Sequence, residues 1–410
     1  MNKKTRKSIF YCLIIGFLLA ASGFIFYAMG WSLNQTTDGS FTFRKTGAIF
    51  LKILSGDAFI KINGKPYVQN HGLFNNNGDL IKGLLPGDYQ IEISKENSGA
   101  WRKNMTVEAG IVSSATKIFL FPEKITTKPI LKEEAEKFWL TDSKKEEIKN
   151  LFYSLKQKQL KLPGNVPIIQ IIPYFFDTTK AVIATQKAVY ILDRQNFTLE
   201  LLALAPINAL TINNSEIIFI DRENNLQFYE ARSHKIIEKI ALGPTITEKI
   251  SKISLSKSNI RIALLSEKGG LFIYERQSRE LKSISKKIKD FRFSPDSKKI
   301  AMLNQSGEIE IIFLEDYRRD FKMAAGEKFK LNLSISDAIG LNNPPLDFDW
   351  LPQILDHLVI KYPEETILAE VDNRLPTNWW LLAKNIQNFA FDKENNLYLL
   401  KDNEFLKVVL

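Results

Sequence analysis

The feature that most constrains this chain is an almost wholly apolar stretch from Ile9 to Trp31, inside a window between Lys7 and Asp38 that carries no charge. A helix needs about 20 such residues to cross the hydrocarbon core of a bilayer. Lipid offers no partner to backbone amides, so a spanning segment of this kind must be helical. Lys3, Lys4, Arg6 and Lys7 precede it, and cations on one flank hold that flank in the cytoplasm. The expected order is a basic cytoplasmic tail over 1–7, a transmembrane signal anchor over 8–31 and a linker over 32–43, with everything downstream outside. Tyr27 and Trp31 suit the outer interface. A cleavable signal peptide is the competing reading; its apolar core runs about 7–15 residues and ends in a small-x-small site. Ala20-Ala21-Ser22-Gly23 supplies small residues, but Phe24-Ile25-Phe26-Tyr27 resumes the apolar run at once. That favours an uncleaved anchor. Either way the body of the chain is exported.

With 410 residues the chain is long enough for two or three domains. Its apolar share of 45% and aromatic share of 11% argue against extended disorder. The 28 phenylalanines and recurrent isoleucine runs favour strands. Four of the ten excess positive charges lie before the apolar run, which leaves +6 for the rest. An anionic wall polymer or lipid headgroup would be attracted by that excess. A Lys-, Asn- and Ile-rich composition is the favoured account of it, since no basic block follows Lys7. No basic stripe with stacking aromatics occurs, so nucleic acid is not an expected partner. The single cysteine, Cys12, lies in the apolar run, which excludes an intramolecular disulfide and any multi-cysteine zinc site.

From 44 to 122 short apolar runs alternate with turn residues. Ile49, Leu51 and Ile53 alternate; Asn63-Gly64 follows Phe59-Ile60-Lys61-Ile62 and predicts a type I′ hairpin turn. Pro86-Gly87 precedes the alternating strand Tyr89–Ile93, with Pro86 presetting φ and Gly87 accepting a positive one. Strands at Met105–Val107 and Ala115–Phe121 complete a small β-sandwich. The order Ser55–Gly64, then Gly83-Leu84-Leu85-Pro86-Gly87-Asp88-Tyr89-Gln90-Ile91, then Trp101 and Val107-Glu108-Ala109-Gly110 resembles a PEGA domain. The namesake turn is altered to Ser55-Gly56-Asp57-Ala58, and Asn70–Gly78 is inserted. The resemblance implies an exported envelope module with a structural or carbohydrate-contacting role.

Segment 123–165 reads as a linker. A capping box at Ser143-x-x-Glu146, with Ile148, Leu151, Phe152 and Leu155 at helical spacing, predicts a helix near 144–159. From 166 to 410 similar strand clusters recur about every 40 residues, the period of a β-propeller. The clearest copy is Ile288–Leu303, with a Ser294-Pro295-Asp296 turn, followed by Ser306-Gly307 and Glu308–Ile312. Others centre on Ala181–Asp193, Ile217–Tyr229, Ile260–Tyr274, Phe348–Lys361 and Phe389–Leu400. Six copies fit, and an echo of the motif at Phe138–Lys145 would make a seventh. The Ser-Pro-Asp-x-Lys-Lys turn resembles exported propellers of the Tol and Trp-Asp repeat type. The fold expected is therefore all-β: one transmembrane helix, a PEGA-like sandwich and a propeller of six or seven blades.

Chemistry-bearing patterns are sparse. His71, His234 and His357 stand alone in loop-like contexts, without metal-ligand spacing. Asp347-Phe348-Asp349 and Glu364-Glu365 read either as paired carboxylates or calcium ligands, or as turn caps and solvated faces; the bland reading weighs more. Trp379-Trp380 reads as a sugar-stacking pair or as packing between blades, again with the second favoured. Asn34, Asn104, Asn196, Asn213, Asn304 and Asn332 begin glycosylation sequons that are common by chance. No catalytic, cofactor or metal residue is assigned, and the ligand-binding residues stay unknown. The expectation is a bacterial envelope protein, membrane-anchored and non-catalytic, displaying a binding platform to a protein or glycan. An exported propeller hydrolase or lyase acting on wall carbohydrate is the alternative, and would need acidic or histidine residues converging at the propeller mouth.

Overall fold

The computed structural model describes residues 3–28, 30–35, 41–54, 58–68, 78–135, 168–173, 180–185, 188–193, 198–203, 207–213, 216–221, 223–230, 235–333, 343–392 and 394–409. His71, His234, the expected helix near 144–159, the Phe138–Lys145 echo and most of the Asn70–Gly78 insert lie outside these residues.

Helix α1 (Lys3–Ala28) contains a span, Thr5–Phe26, that is long and apolar enough to cross a membrane, and none of it is buried against the protein. The segment after it, expected as a plain linker, forms a hairpin of β1 (Trp31–Gln35) and β2 (Phe41–Lys45). Phe26 meets Trp31 and Phe43 edge-on, and Trp31 stacks on Phe43 at 5.3 Å. Gly30 turns the chain with φ +83°, and a side chain there would strike the Thr46 carbonyl. Thr46 donates to the Gly30 carbonyl through both its backbone N–H (2.7 Å) and Oγ1 (2.8 Å). Its own carbonyl accepts from the Gly110 N–H at 2.9 Å. The base of the hairpin is thereby pinned to the next domain.

That domain is a two-sheet sandwich. Its strands are β3 (Gly47–Ile53), β4 (Phe59–Ile62), β5 (Lys65–Tyr67), β6 (Asp79–Leu84), β7 (Gly87–Ser94), β8 (Trp101–Val107) and β9 (Val112–Ile118). One sheet has the order β6-β3-β9, with β3 and β9 parallel; the other has β5-β4-β7-β8. The turn at Asn63 (φ +48°) and Gly64 (φ +77°) joins β4 to β5, as the dipeptide predicts. Period-two burial is sharpest in β8, where Trp101, Lys103, Met105 and Val107 point inward. A lysine on that face needs a partner, because an unpaired buried charge costs several kcal/mol.

The chain continues through β10 (Thr126–Ile130) and the single turn α2 (Lys132–Ala135), then through six four-stranded antiparallel sheets among the described residues. The first holds β11 (Ile168–Pro173), β12 (Lys180–Thr185), β13 (Val189–Asp193) and β14 (Thr198–Ala203). The second holds β15 (Ile207–Ile212), β16 (Glu216–Asp221), β17 (Asn225–Glu230) and β18 (Lys235–Ala241). The third holds β19 (Ile250–Leu255), β20 (Arg261–Ser266), β21 (Leu271–Glu275) and β22 (Glu280–Ser285). The fourth holds β23 (Ile288–Phe293), β24 (Lys299–Asn304), β25 (Ile309–Phe313) and β26 (Lys328–Lys330). The fifth holds β27 (Asp347–Trp350), β28 (His357–Lys361), β29 (Glu365–Glu370) and β30 (Trp379–Lys384). The sixth, β31 (Asn388–Phe391), β32 (Leu397–Lys401) and β33 (Glu404–Val409), takes β10 as its outer strand. Part of the segment expected as linker is thus built into the last blade.

A lone sheet exposes one apolar face to water, and each large side chain buried by stacking returns about 1.5–3 kcal/mol. The cores accordingly lie between consecutive sheets: Val182 with Phe219, Ile218 with Ile262, Leu265 with Met302, Ala301 with Ile360, and Val359 with Leu399. The first strands carry the same irregularity in four sheets, at Ile168/Gln170, Ile207/Ala209, Ile250/Lys252 and Ile288/Asp290. A shared defect at a shared position marks them as copies of one unit, and the sequence of sheets is a β-propeller.

The sandwich and the propeller share a core. Trp101, Phe121, Leu351, Leu368 and Trp380 belong to one buried cluster. Lys103, fully buried, pairs with Glu370 Oε2 at 3.0 Å and donates to the carbonyls of Arg374 and Pro376, each at 3.0 Å. Glu370 also accepts from Trp101 Nε1 (2.9 Å) and Asn378 Nδ2 (2.7 Å). Burial opposes its ionisation, yet the Lys103 charge and these donors hold its carboxyl below the usual range. Asp356 accepts from Lys299 (2.6 Å) in blade four and from Lys117 of the sandwich. An excursion between β25 and β26 adds Arg319 and Asp320, which bond Ser114 and Thr116. The outer strand β18 of blade two is mostly exposed and β22 of blade three is half exposed, whereas β30 buries Trp380 and Leu382 under the sandwich.

Candidate functional site at the propeller axis

First strands of neighbouring sheets approach one another at β11 with β15, β15 with β19 and β23 with β27, as strands lining a propeller axis do. Alternation sends Ile253, Phe291 and Phe348 into the cores between blades. The residues between them, Lys252, Asp290, Arg292, Asp347 and Asp349, are left on the opposite face of β19, β23 and β27.

There they interlock across three blades. Lys252 pairs with Asp290 and donates to the Phe291 carbonyl at 3.3 Å. Arg292 Nη1 reaches Asp290 Oδ2 at 2.7 Å, and its Nη2 reaches Asp347 Oδ1 at 3.3 Å. The guanidinium lies over the Phe348 ring at 5.5 Å, and Lys252 lies over Phe291 at 5.0 Å. Trp350 Nε1 donates to the Arg292 carbonyl at 3.1 Å, which fixes the strand carrying the guanidinium. None of the five charged residues is fully buried, so the cluster keeps partial access to solvent.

Two cations face three carboxylates. Burial alone would raise Asp290, but the charges of Lys252 and Arg292 outweigh it and keep that carboxyl low. Burial and the like charge of Arg292 depress Lys252 despite its pairing with Asp290. Asp349 is the odd member. Burial pushes it up to about 6, aided by the nearby Asp347, while Arg292, Lys252 and the Trp350 N–H only partly offset the rise. The cluster is therefore close to neutral below that pH and carries one extra negative charge above it. Chemically, the site offers a fixed guanidinium, a fixed ammonium and one carboxyl able to hold or release a proton near neutrality.

Asp347 and Asp349 lie on β27 beside two cations, rather than in a turn. Glu365 pairs with Lys384 at 3.0 Å in the β28–β30 sheet, and Glu364 accepts the Asn385 N–H through its carbonyl in the neighbouring turn. Those two do not join the cluster. His357 begins β28 and is not in a loop; it is buried between Phe121 (5.3 Å) and Trp380 (5.9 Å), and burial keeps it neutral. Trp380 packs in the seam on Phe121 at 4.8 Å, and Trp379 lies against the core of blades four and five. Lys252, Asp290 and Arg292 were not singled out from the sequence. Charged residues alternating with Phe or Ile at the start of successive copies were the available signal. Among the described residues no group of three or more metal-ligating side chains is assembled.

No family model matches the chain, and no curated protein matches it. Among solved structures it is similar to the C-terminal WD40 domain of Sif2, at 12% identity and a TM-score of 0.39, over 60% of this chain and 68% of that one. It is also similar to a chain of the mitotic checkpoint complex, at 10% identity and a TM-score of 0.38, over 56% of this chain and 83% of that one.

Proposed function

We propose that this chain is a single-pass membrane protein whose PEGA-like sandwich and propeller stand outside the cytoplasm as a non-catalytic binding platform. The propeller axis engages an envelope protein or a glycan. The observation that carries this reading is the seam: Lys103, Glu370 and the core around Trp101 lock the sandwich to blade five. A chain built to hold a propeller at a fixed place needs such a joint. Lys3, Lys4, Arg6 and Lys7 before the apolar helix favour an inside N-terminus, and the ionic cluster at the axis offers a surface suited to polar recognition.

The test is recovery of partners from envelope extract by the full-length, detergent-solubilised chain, compared with Arg292→Gln, and with wall glycans assayed in parallel. The bait must not begin after residue 35, because that cut removes β1 from its hairpin. A partner or glycan retained by the wild type and lost with Arg292→Gln is the expected result. Equal retention by both, or a native chain found in the soluble fraction, overturns the proposal.

A second reading has one observation behind it: Asp349, raised to about 6, lies near the carboxyl of Asp347. A carboxyl that keeps its proton above the ordinary carboxylate range is what a general acid requires. An exported hydrolase would use that pair on wall carbohydrate. Turnover of purified wall polysaccharide, abolished by Asp349→Asn, would establish it over the platform reading; its absence leaves the platform.

A further inference from the structure

A cleft of about 390 Å³ opens where the apolar helix joins the sandwich, a size in the range of small-molecule sites. Its lining includes Trp31, Ala48, Leu80, Lys82, Ile111 and Val112, with Gly30 and Gly110 at the joint. The joint is close: a Cβ on Gly30 would lie 3.4 Å from the Gly110 Cα. Helix α1 ends at Ala28, so the cleft begins almost directly at the end of the span. Phe26, Trp31 and Phe43 form a continuous aromatic group from the helix into the hairpin, the arrangement favoured at headgroup depth.

Three apolar side chains around this joint are left bare. Ile111 is 45% exposed, Val112 53% and Phe43 51%. The register of Gly47 opposite Leu84 brings the β6–β7 turn, with exposed Leu85, to the same end of the sandwich. Apolar residues gathered at one end of a soluble domain call for a cover. Lys82 is the only cation in the lining, and no salt bridge engages it among the described residues. The acidic neighbours on this end include Glu108, exposed in the β8–β9 turn, and Asp88, which accepts from Thr106 Oγ1 at 2.6 Å.

We propose that this cleft is a phospholipid site: an acyl chain of a bilayer lipid lies along Leu80, Ala48 and Val112, and its phosphate meets the Lys82 ammonium. The inference rests on reading α1 as a membrane span. Continuity with that span selects lipid over a peptide, and the single cation beside an apolar floor matches a molecule with one anionic group and a hydrocarbon tail. A bound lipid would fill the space between the start of the β1–β2 hairpin and the sandwich, and set the depth at which the sandwich sits.

The test uses the full-length chain in nanodiscs of phosphatidylglycerol and phosphatidylcholine, extracted into mild detergent for native mass spectrometry. Retention of one phospholipid per chain, with phosphatidylglycerol enriched, is expected. Lys82→Glu should lower that retention about fivefold or more, as a reversed charge next to an anionic lipid implies. Val112→Trp, which fills the cleft without changing charge, should abolish it. Quenching of Trp31 by lipids brominated along the acyl chain should fall in both variants, read as the difference from Trp31→Phe. Membrane fractionation is run alongside. If the chain is not in the membrane fraction, the anchor reading itself has failed. If it is there, but retains no lipid or retains it equally in both variants, the lipid site is refuted. A mass for two chains that the same variants split would also refute it, by assigning the cleft to a second copy.

Discussion

Asp349→Asn should stabilise the protein at neutral pH and leave it unchanged in acid. In the folded chain the Asp349 carboxyl titrates at about 6, against an ordinary value of 3.8. The folded state therefore binds the proton more tightly than the unfolded state across that interval. Stability must fall as pH rises through it: the penalty is absent below the ordinary value and complete above about 6. A rise of roughly two units corresponds to about 3 kcal/mol. Asp349 is only partly shielded from solvent, which screens the effect, so about 1–2 kcal/mol is the net gain expected. The Asn side-chain carbonyl can still accept the Trp350 N–H, which Asp349 Oδ1 receives at 2.8 Å. Urea unfolding, followed by tryptophan fluorescence at several pH values from 4 to 8, measures the difference. A variant no more stable than wild type at pH 7.5, or one displaced equally at pH 4 and pH 7.5, would refute the reasoning.

Other substitutions test the seam. Lys103→Met leaves Glu370 buried without its cation and should cost about 3–5 kcal/mol, whereas Lys103→Met combined with Glu370→Met should recover much of the loss; chemical denaturation of the three variants decides it. Gly99→Ala places a methyl 2.6 Å from the Trp380 indole and should destabilise by about 1–3 kcal/mol, with a change in near-ultraviolet circular dichroism as Trp380 shifts. Thr46→Val removes one of the two hydrogen bonds to Gly30 and should raise proteolysis at the hairpin without altering the unfolding midpoint of the propeller.

Much of the fold was legible because it is written in local periodicity. The apolar run at Ile9–Trp31, the Asn63-Gly64 turn and the strand pairs Ile217–Asp221 and Leu226–Tyr229 each carry their signal within a few residues. The hairpin β1–β2 was missed because Trp31-Ser-Leu-Asn-Gln reads as the fading edge of the apolar run. Strand β10 was missed for another reason: Thr-Thr-Lys-Pro-Ile is a poor strand by composition, and its Pro129 is tolerated because it lies on an edge. The seam joins Trp101 and Lys103 to residues far along the chain, and no short-range pattern reports such pairing. Lys103 did carry a hint, as a cation in phase with Trp101, Met105 and Val107 on a buried face. The axial cluster was half visible. Asp347 and Asp349 drew attention as a pair, but their meaning depends on Lys252 and Arg292, which only stacking of the blades brings near them.

The pairing of β10 with β33 has a practical corollary. A fragment that begins where the propeller repeats begin, near residue 166, would lack a strand of its own sixth blade, exposing the edge of β33 to self-association. A fragment that stops after the sandwich would bare the Lys103 ammonium and the indole of Trp101. Neither half is a self-sufficient reagent, so binding assays, crystallisation and fusion proteins should treat everything from Gly30 to Val409 as one indivisible unit.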